Sequence, residues 1–66
     1  MINTNKLLGI FAENGMTKKA VAELLHIAPK TLNEKLNKGI FGSDEIQIMV
    51  DTFHIEDPMA VFFVRE

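Results

Sequence analysis

Residues 17–39 read TKKAVAELLHIAPKTLNEKLNKG. Two short helical patterns lie on either side of HIAP, residues 26–29, which leaves room only for a tight turn. In the second pattern, PKTLNEKLN at residues 29–37, only Leu32 and Leu36 could pack into a hydrophobic core. A core-building helix in so small a protein should carry a wider apolar stripe. The sequence therefore predicts a second helix that is mostly exposed, and its function has to account for that exposure.

The apolar residues of this stretch fall where two helices could share a small core across a three- or four-residue turn. They are Val21, Leu25, Ile27, Leu32 and Leu36. Ala22 stands where the two helices would cross and only a small side chain fits. The turn needs a positive φ at His26, and His is among the non-glycine residues enriched in that conformation. This spacing is typical of a helix-turn-helix unit.

Length and composition fit one domain, residues 1–66. Such a chain buries only about 60% of its unfolded surface. Hydrophobic residues make up 47%, which argues against disorder, and the lack of Cys excludes disulfides and thiolate zinc sites. The longest apolar run, MAVFFV at residues 59–64, is far shorter than the ~20 residues of a membrane span. The N-terminus lacks the features of a signal peptide, so we expect a soluble protein of the cytoplasm, without contact to a membrane.

Three further helical patterns surround the central pair, and no segment alternates like a strand. NKLLGIFAEN, residues 5–14, should be followed by a left-handed Gly15, with Asn3, Thr4 or Asn5 as its cap. Ser43 should cap DEIQIMVDTF, and Asp57-Pro58 should open a last helix, MAVFFV. In the central pair, Thr17 should cap the first helix and Gly39 should end the second. The fold class is therefore predicted to be all-α, with five helices in a compact arrangement.

Charge is unevenly distributed, although the chain as a whole carries −2. Residues 16–42 contain five Lys against two Glu, a net +3, whereas residues 43–66 contain six acids against one Arg, a net −5. Ordinary solvated charge is one interpretation. The coincidence of the basic third with the exposed helix favours a nucleic-acid surface instead.

Residues 17–39 resemble the helix-turn-helix of the Cro/repressor (XRE-like) family of phage and bacterial regulators, with His26 departing from the usual Gly. The five-helix layout and the ending FHIEDPMAVFF, residues 53–63, are similar to small Cro-like repressors of phages of Gram-positive bacteria. The resemblance implies a lambda-repressor-like domain that regulates transcription in a bacterial host. Helix 29–37 would enter the major groove of a double-stranded DNA operator while the preceding helix crosses the phosphate backbone.

The resemblance also implies which residues contact DNA. Base contacts are expected from Pro29, Lys30, Thr31, Asn33 and Glu34. Lys30 can donate to guanine, Asn33 can read adenine, and Glu34 can accept from cytosine. Pro29 can offer only apolar contact, and Thr31 could meet a thymine methyl group or a phosphate. An ordinary surface pair of Glu34 with Lys30 or Lys38 is the other interpretation of that carboxylate.

Phosphate contacts would position the protein without reading the sequence. They are expected from Thr17, Lys18, Lys19, Lys35 and Lys38, and from the loop backbone at Gly39, Ile40, Phe41 and Gly42. Few lysines are available, so a second copy would help affinity, and the family implies a two-fold dimer on a pseudo-palindrome.

The predicted dimer interface is Met59, Phe62 and Phe63. The two neighbouring Phe cannot both point into one core from a single helix, so one of them could be exposed at an interaction surface. Partial packing of both in a short final turn is the alternative.

Other functional classes fit less well. No nucleophile constellation, Gly-rich phosphate loop or cofactor motif is present, and neither His26 nor His54 has metal-ligand spacing, so we expect no enzyme, metal or cofactor. The main rival is an antirepressor, a protein of the same fold that would bind the opposing phage repressor through its acidic last third. An antitoxin-like role is a weaker third possibility. Salt dependence separates DNA binding from a largely apolar protein contact.

Overall fold

The computed structural model describes residues 2–63, and over this range it contains five α-helices and no strand. The helices are α1 (Thr4–Glu13), α2 (Lys18–Leu24), α3 (Pro29–Lys38), α4 (Ser43–Phe53) and α5 (Pro58–Phe62). The principal extents are 28 × 23 × 20 Å. The predicted all-α, five-helix architecture is confirmed. None of the helices in the described range is long and apolar enough to cross a membrane.

Each helix contributes one of the five largest fully buried side chains of the core. In chain order these are Leu7, Val21, Leu32, Met49 and Val61. Phe11 of α1 and Phe53 of α4 add a tilted aromatic pair, with ring centroids 5.6 Å apart. Burying a large apolar side chain contributes about 1.5–3 kcal/mol, so each helix is held mainly by such contacts. No polar or charged residue in the described part of the chain is buried.

Three of the predicted helix caps are confirmed. The side-chain oxygens of Asn3, Thr17 and Asp57 accept hydrogen bonds from backbone N–H groups three residues later, at 3.1, 3.1 and 3.3 Å respectively. Each bond satisfies one of the N–H groups that a helix start leaves without a partner. Asn3 is thus the cap of α1, among the three residues that the sequence offered.

The predicted cap at Ser43 is wrong by one residue, because α4 begins at Ser43 itself and Gly42 precedes it. Glu45, in the first turn, reaches back so that its Oε1 accepts from the Gly42 N–H at 2.8 Å. This bond from the third helical residue to the cap backbone fixes where the helix begins. The Ser43 hydroxyl donates instead to the neighbouring Asp44 carboxylate, at 3.4 Å.

The first four helices are each followed by a residue in the left-handed conformation. These residues are Gly15 (φ 65°), His26 (φ 57°), Gly39 (φ 69°) and His54 (φ 52°). The positive φ predicted at His26 is confirmed, and it lets the Ile27 N–H donate to the Ala22 carbonyl at 3.0 Å. This bond is typical of a Schellman end, which turns the chain sharply from α2 towards α3.

Candidate nucleic-acid interface

α2 and α3 form one packed unit across the turn at residues 25–28. The side chains that join them are buried, namely those of Val21, Ala22, Leu25, Leu32 and Leu36. Ile27 in the turn is half-buried and packs against the same core. The shared core that the sequence predicted is therefore present, and it fixes the orientation of α3.

The outer face of α3 is polar and exposed. Four of the five side chains predicted to contact bases are exposed, and they are Pro29, Lys30, Asn33 and Glu34. Thr31 is half-buried on the flank of the helix, beside the buried Leu32. Asn37 was not among the predicted base contacts, but it is exposed and lies one turn after Asn33. Its spacing of four from Asn33 and seven from Lys30 could have placed it on this face.

The N-terminus of α3 carries no side-chain cap on its first-turn N–H groups, as is also the case for α4, whereas α1, α2 and α5 each have such a cap. Its cap residue is Ala28, which has no side-chain acceptor, and Pro29 follows without an N–H. Within residues 2–63 the backbone N–H groups of Lys30 and Thr31 have no partner, whereas the Leu32 N–H already donates to the Ala28 carbonyl. Open donors at the positive end of a helix suit an anion or another acceptor.

The lysines of the unit differ in what they contact. Lys18, Lys19, Lys30 and Lys38 are exposed. Lys35 is only 30% exposed, and its Nζ lies 2.8 Å from Glu45 Oε1 in α4. This is the sole ion pair within 4.0 Å among residues 2–63, so Glu34 is paired there with neither Lys30 nor Lys38.

The α3–α4 loop offers fewer free donors than the sequence suggested. Gly39 and Ile40 both donate their N–H groups to the Lys35 carbonyl, at 2.8 and 3.2 Å, and Gly42 donates to Glu45. Gly39 is also buried, so its N–H is not open to a phosphate as predicted. The Phe41 N–H has no partner within the described chain, although the Phe41 side chain is buried.

The predicted dimer residues separate into one buried and two exposed side chains. Phe62 is 3% exposed and belongs to the core, so its assignment to an interface is wrong. Phe63 and Met59 are 52% and 64% exposed. The expectation that one of the two Phe residues is exposed is confirmed. α5 ends at Phe62 and Phe63 is not helical, so the predicted helix is too long at that residue; its last predicted position, Val64, lies outside the described residues.

Two grooves lie on the described surface, and only the first borders α3. The first, of about 390 Å³, is largely apolar and is lined by Ile2, Lys38, Ile40, Phe41, Ile46 and Phe63, among others. The second, of about 280 Å³, lies between α1 and the α4–α5 loop and includes Lys6, Glu13, His54 and Glu56. In the range that the structure describes, no three His, Cys, Asp or Glu side chains are grouped so that they could hold a metal ion.

Comparison of the chain with protein-family models, curated proteins and solved structures finds no match.

Proposed function

We propose that this protein is a sequence-specific DNA-binding regulator of transcription, a Cro-like repressor of a phage or prophage that acts in the cytoplasm of its bacterial host. One observation carries the proposal: a packed helix-turn-helix unit presents a helix with an exposed polar face and an uncapped N-terminus. An amphipathic helix with no need for DNA would gain stability from a cap and a wider apolar face.

Bases would be read by the exposed face of α3 in the major groove. Lys30, at the start of the helix, is suited to guanine O6 and N7, and Asn33 to adenine. Glu34 is free of the surface pairs that would explain it otherwise, and it can accept from a cytosine amine. Asn37 extends the same face by one turn. Each well-formed bidentate contact contributes about 1–3 kcal/mol of discrimination between bases.

Phosphates would be held at the edges of this face. Lys18 and Lys19 lie in the exposed first turn of α2, and Lys38 lies at the end of α3. The Thr17 hydroxyl accepts a helix N–H but can still donate its own hydrogen. The Phe41 N–H, which has no partner within residues 2–63, would be a further donor. Such contacts set register and affinity, while the bases set specificity.

Dimerisation would double this modest set of cations on two half-sites about 34 Å apart. Met59 and Phe63 supply exposed apolar surface near the C-terminal end of the described chain. Exposed apolar side chains gathered on a small protein often mark an interaction site. Sedimentation velocity across a range of concentrations tests this part: a monomer at every concentration, with and without DNA, contradicts it.

The proposal is tested by titrating the protein against the DNA that flanks its own gene, at two salt concentrations, with random duplex as competitor. Specific binding that weakens steeply with salt is expected. Lys30→Ala should reduce the preference for the specific DNA. Lys6→Ala removes an exposed lysine of α1, outside the helix-turn-helix, and is the matched control. Equal and weak binding to both DNAs contradicts the proposal.

A second function is favoured by the apolar surface at Ile40, Met59 and Phe63. A protein of this fold could use such a surface to bind the opposing repressor instead of DNA. A largely apolar contact is nearly insensitive to salt, whereas phosphate contacts are not. Salt-insensitive capture of that repressor, together with no preference among DNAs, would favour this function over the first.

A further inference from the structure

We infer that Glu45 is an internal competitor for the phosphates of DNA, and that it limits binding to DNA of any sequence by holding Lys35. The inference rests on the proposed function. Glu45 Oε1 accepts two hydrogen bonds of 2.8 Å, one from Lys35 Nζ and one from the Gly42 N–H. A lysine ammonium and a loop N–H are the donors that a phosphate oxygen would use. The carboxylate therefore occupies the place of a phosphate at the edge of α3.

The surroundings make this pair stronger than an ordinary surface pair. The Glu45 side chain is 15% exposed and that of Lys35 is 30% exposed, so water and salt screen the charges less than at the open surface. Glu45 also lies in the first turn of α4, where the helix dipole favours a negative charge. The hydrogen bonds from the Lys35 ammonium and from the Gly42 N–H end on the same Glu45 oxygen. Movement of Glu45 would therefore weaken both bonds.

Lys35 differs in position from the lysines that remain free. It precedes the buried Leu36 on the flank of α3 that faces α4. Lys30 and Lys38 lie on the exposed face of the same helix. Phosphate contacts raise the affinity for every DNA sequence alike. Withholding one cation therefore lowers non-specific binding, and base contacts then account for a larger share of the total affinity. Glu45 is thus a specificity-determining residue that acts through Lys35 and need not contact DNA.

Glu45→Gln tests this directly, because the amide oxygen can still accept from Gly42 while the charge is lost. For random duplex DNA, the plot of log affinity against log salt should become steeper by about 0.9 per protomer, or about 1.8 for a dimer. Binding to random duplex should also become several-fold tighter near 0.1 M salt, so that the ratio of specific to random affinity falls. A purely structural role for Glu45 would not steepen the salt dependence.

Two further variants identify the lysine involved. Lys35→Gln alone should leave the slope of the unaltered protein unchanged, since Lys35 is already engaged. In the Glu45→Gln background, Lys35→Gln should return the slope of log affinity against log salt to that of the unaltered protein. Asp44→Asn makes the same change of charge one residue away, at an exposed side chain with no lysine partner among the described residues, and should leave the slope unchanged.

The outcomes separate this inference from the proposed function. An unchanged slope in Glu45→Gln overturns the inference and leaves the function standing. So does a slope that falls by about 0.9 per protomer in Lys35→Gln alone, because Lys35 would then contact phosphate in the unaltered protein. The Lys35→Gln measurement tests the inference even if Glu45→Gln fails to fold. An unaltered protein with no salt-sensitive DNA binding overturns both.

Discussion

The hydroxyl of Thr4, at the start of α1, donates a hydrogen bond of 3.2 Å to the carbonyl of Leu36 in the last turn of α3. The preceding residue, Asn3, donates its backbone N–H to the Val61 carbonyl in α5 at 2.8 Å. Two neighbouring residues at the N-terminus therefore join the proposed recognition helix to the helix that carries the exposed apolar surface. These two hydrogen bonds are directional, whereas the packing contacts of the apolar core are not.

Thr4→Val should lower the free energy of unfolding by about 0.5–1.5 kcal/mol, the usual contribution of one intramolecular hydrogen bond. For a domain of this size, each kcal/mol corresponds to roughly 4–8 °C in melting temperature. Thermal unfolding followed by circular dichroism measures the change. Thr52→Val is the control, because Thr52 is exposed on α4 and its side chain has no hydrogen bond within residues 2–63. Equal melting temperatures for the two variants would mean that the Thr4 bond contributes nothing.

The turn between α2 and α3 should be more stable with glycine. His26 has a φ of 57°, which costs a residue with a Cβ about 1–2 kcal/mol, whereas the extra chain entropy of Gly costs about 0.5–1 kcal/mol. His26→Gly should therefore stabilise the protein by roughly 0.5–1 kcal/mol in urea unfolding. His26→Val should destabilise it, because a β-branched side chain tolerates this conformation poorly. If Val proved as stable as Gly at this position, the left-handed turn would be disproved.

A cap added to α3 should separate stability from DNA binding. Ala28→Ser supplies a hydroxyl that can accept from the first-turn N–H groups, and it should stabilise the protein by about 0.5–1 kcal/mol. The same bond competes with DNA for these donors, so binding to DNA should become weaker. Thermal unfolding and a gel shift on the same sample measure both effects. Thr17→Ser, which retains a capping hydroxyl at α2, should change neither by much. A variant that is more stable and binds as tightly would show that these N–H groups take no part.

The two neighbouring aromatic residues near the end of the described chain should behave oppositely. Phe62→Ala removes a buried ring and should cost about 3–5 kcal/mol, enough to unfold much of so small a domain. Phe63→Ala should change the stability of dilute monomer by no more than about 0.5 kcal/mol, because its ring is half-exposed. It should instead weaken self-association in sedimentation velocity. An unaltered dimer in Phe63→Ala would exclude Phe63 from the interface.

Features set by neighbouring residues could be predicted from the sequence. The Thr17 cap, the left-handed Gly15 and His26, and the Pro29 start of α3 each depend on a short local stretch of chain. The one-sided burial of α3 followed from the spacing of its two leucines, Leu32 and Leu36, four residues apart. In these cases local rules and the tertiary structure agree.

Features that join distant parts of the chain could not be predicted. The Lys35–Glu45 pair spans ten residues, and the Thr4–Leu36 bond spans thirty-two. Each depends on where two helices pack, which periodicity does not specify. The shift of the α4 start from the predicted cap has the same origin in part, because Glu45 is held by Lys35 as well as by Gly42. Phe62 and Phe63 could be told apart only once α5 was docked on the core.

Backbone amide NMR during titration with the DNA that flanks the gene would show whether α3 reads DNA. The largest shift changes are expected at residues 30–37, with smaller changes at Lys18, Lys19 and Phe41. The changes should be larger for this DNA than for random duplex of equal length. Amide shifts that do not change at residues 30–37, or that change only at residues 59–63, would contradict the proposal that α3 reads DNA.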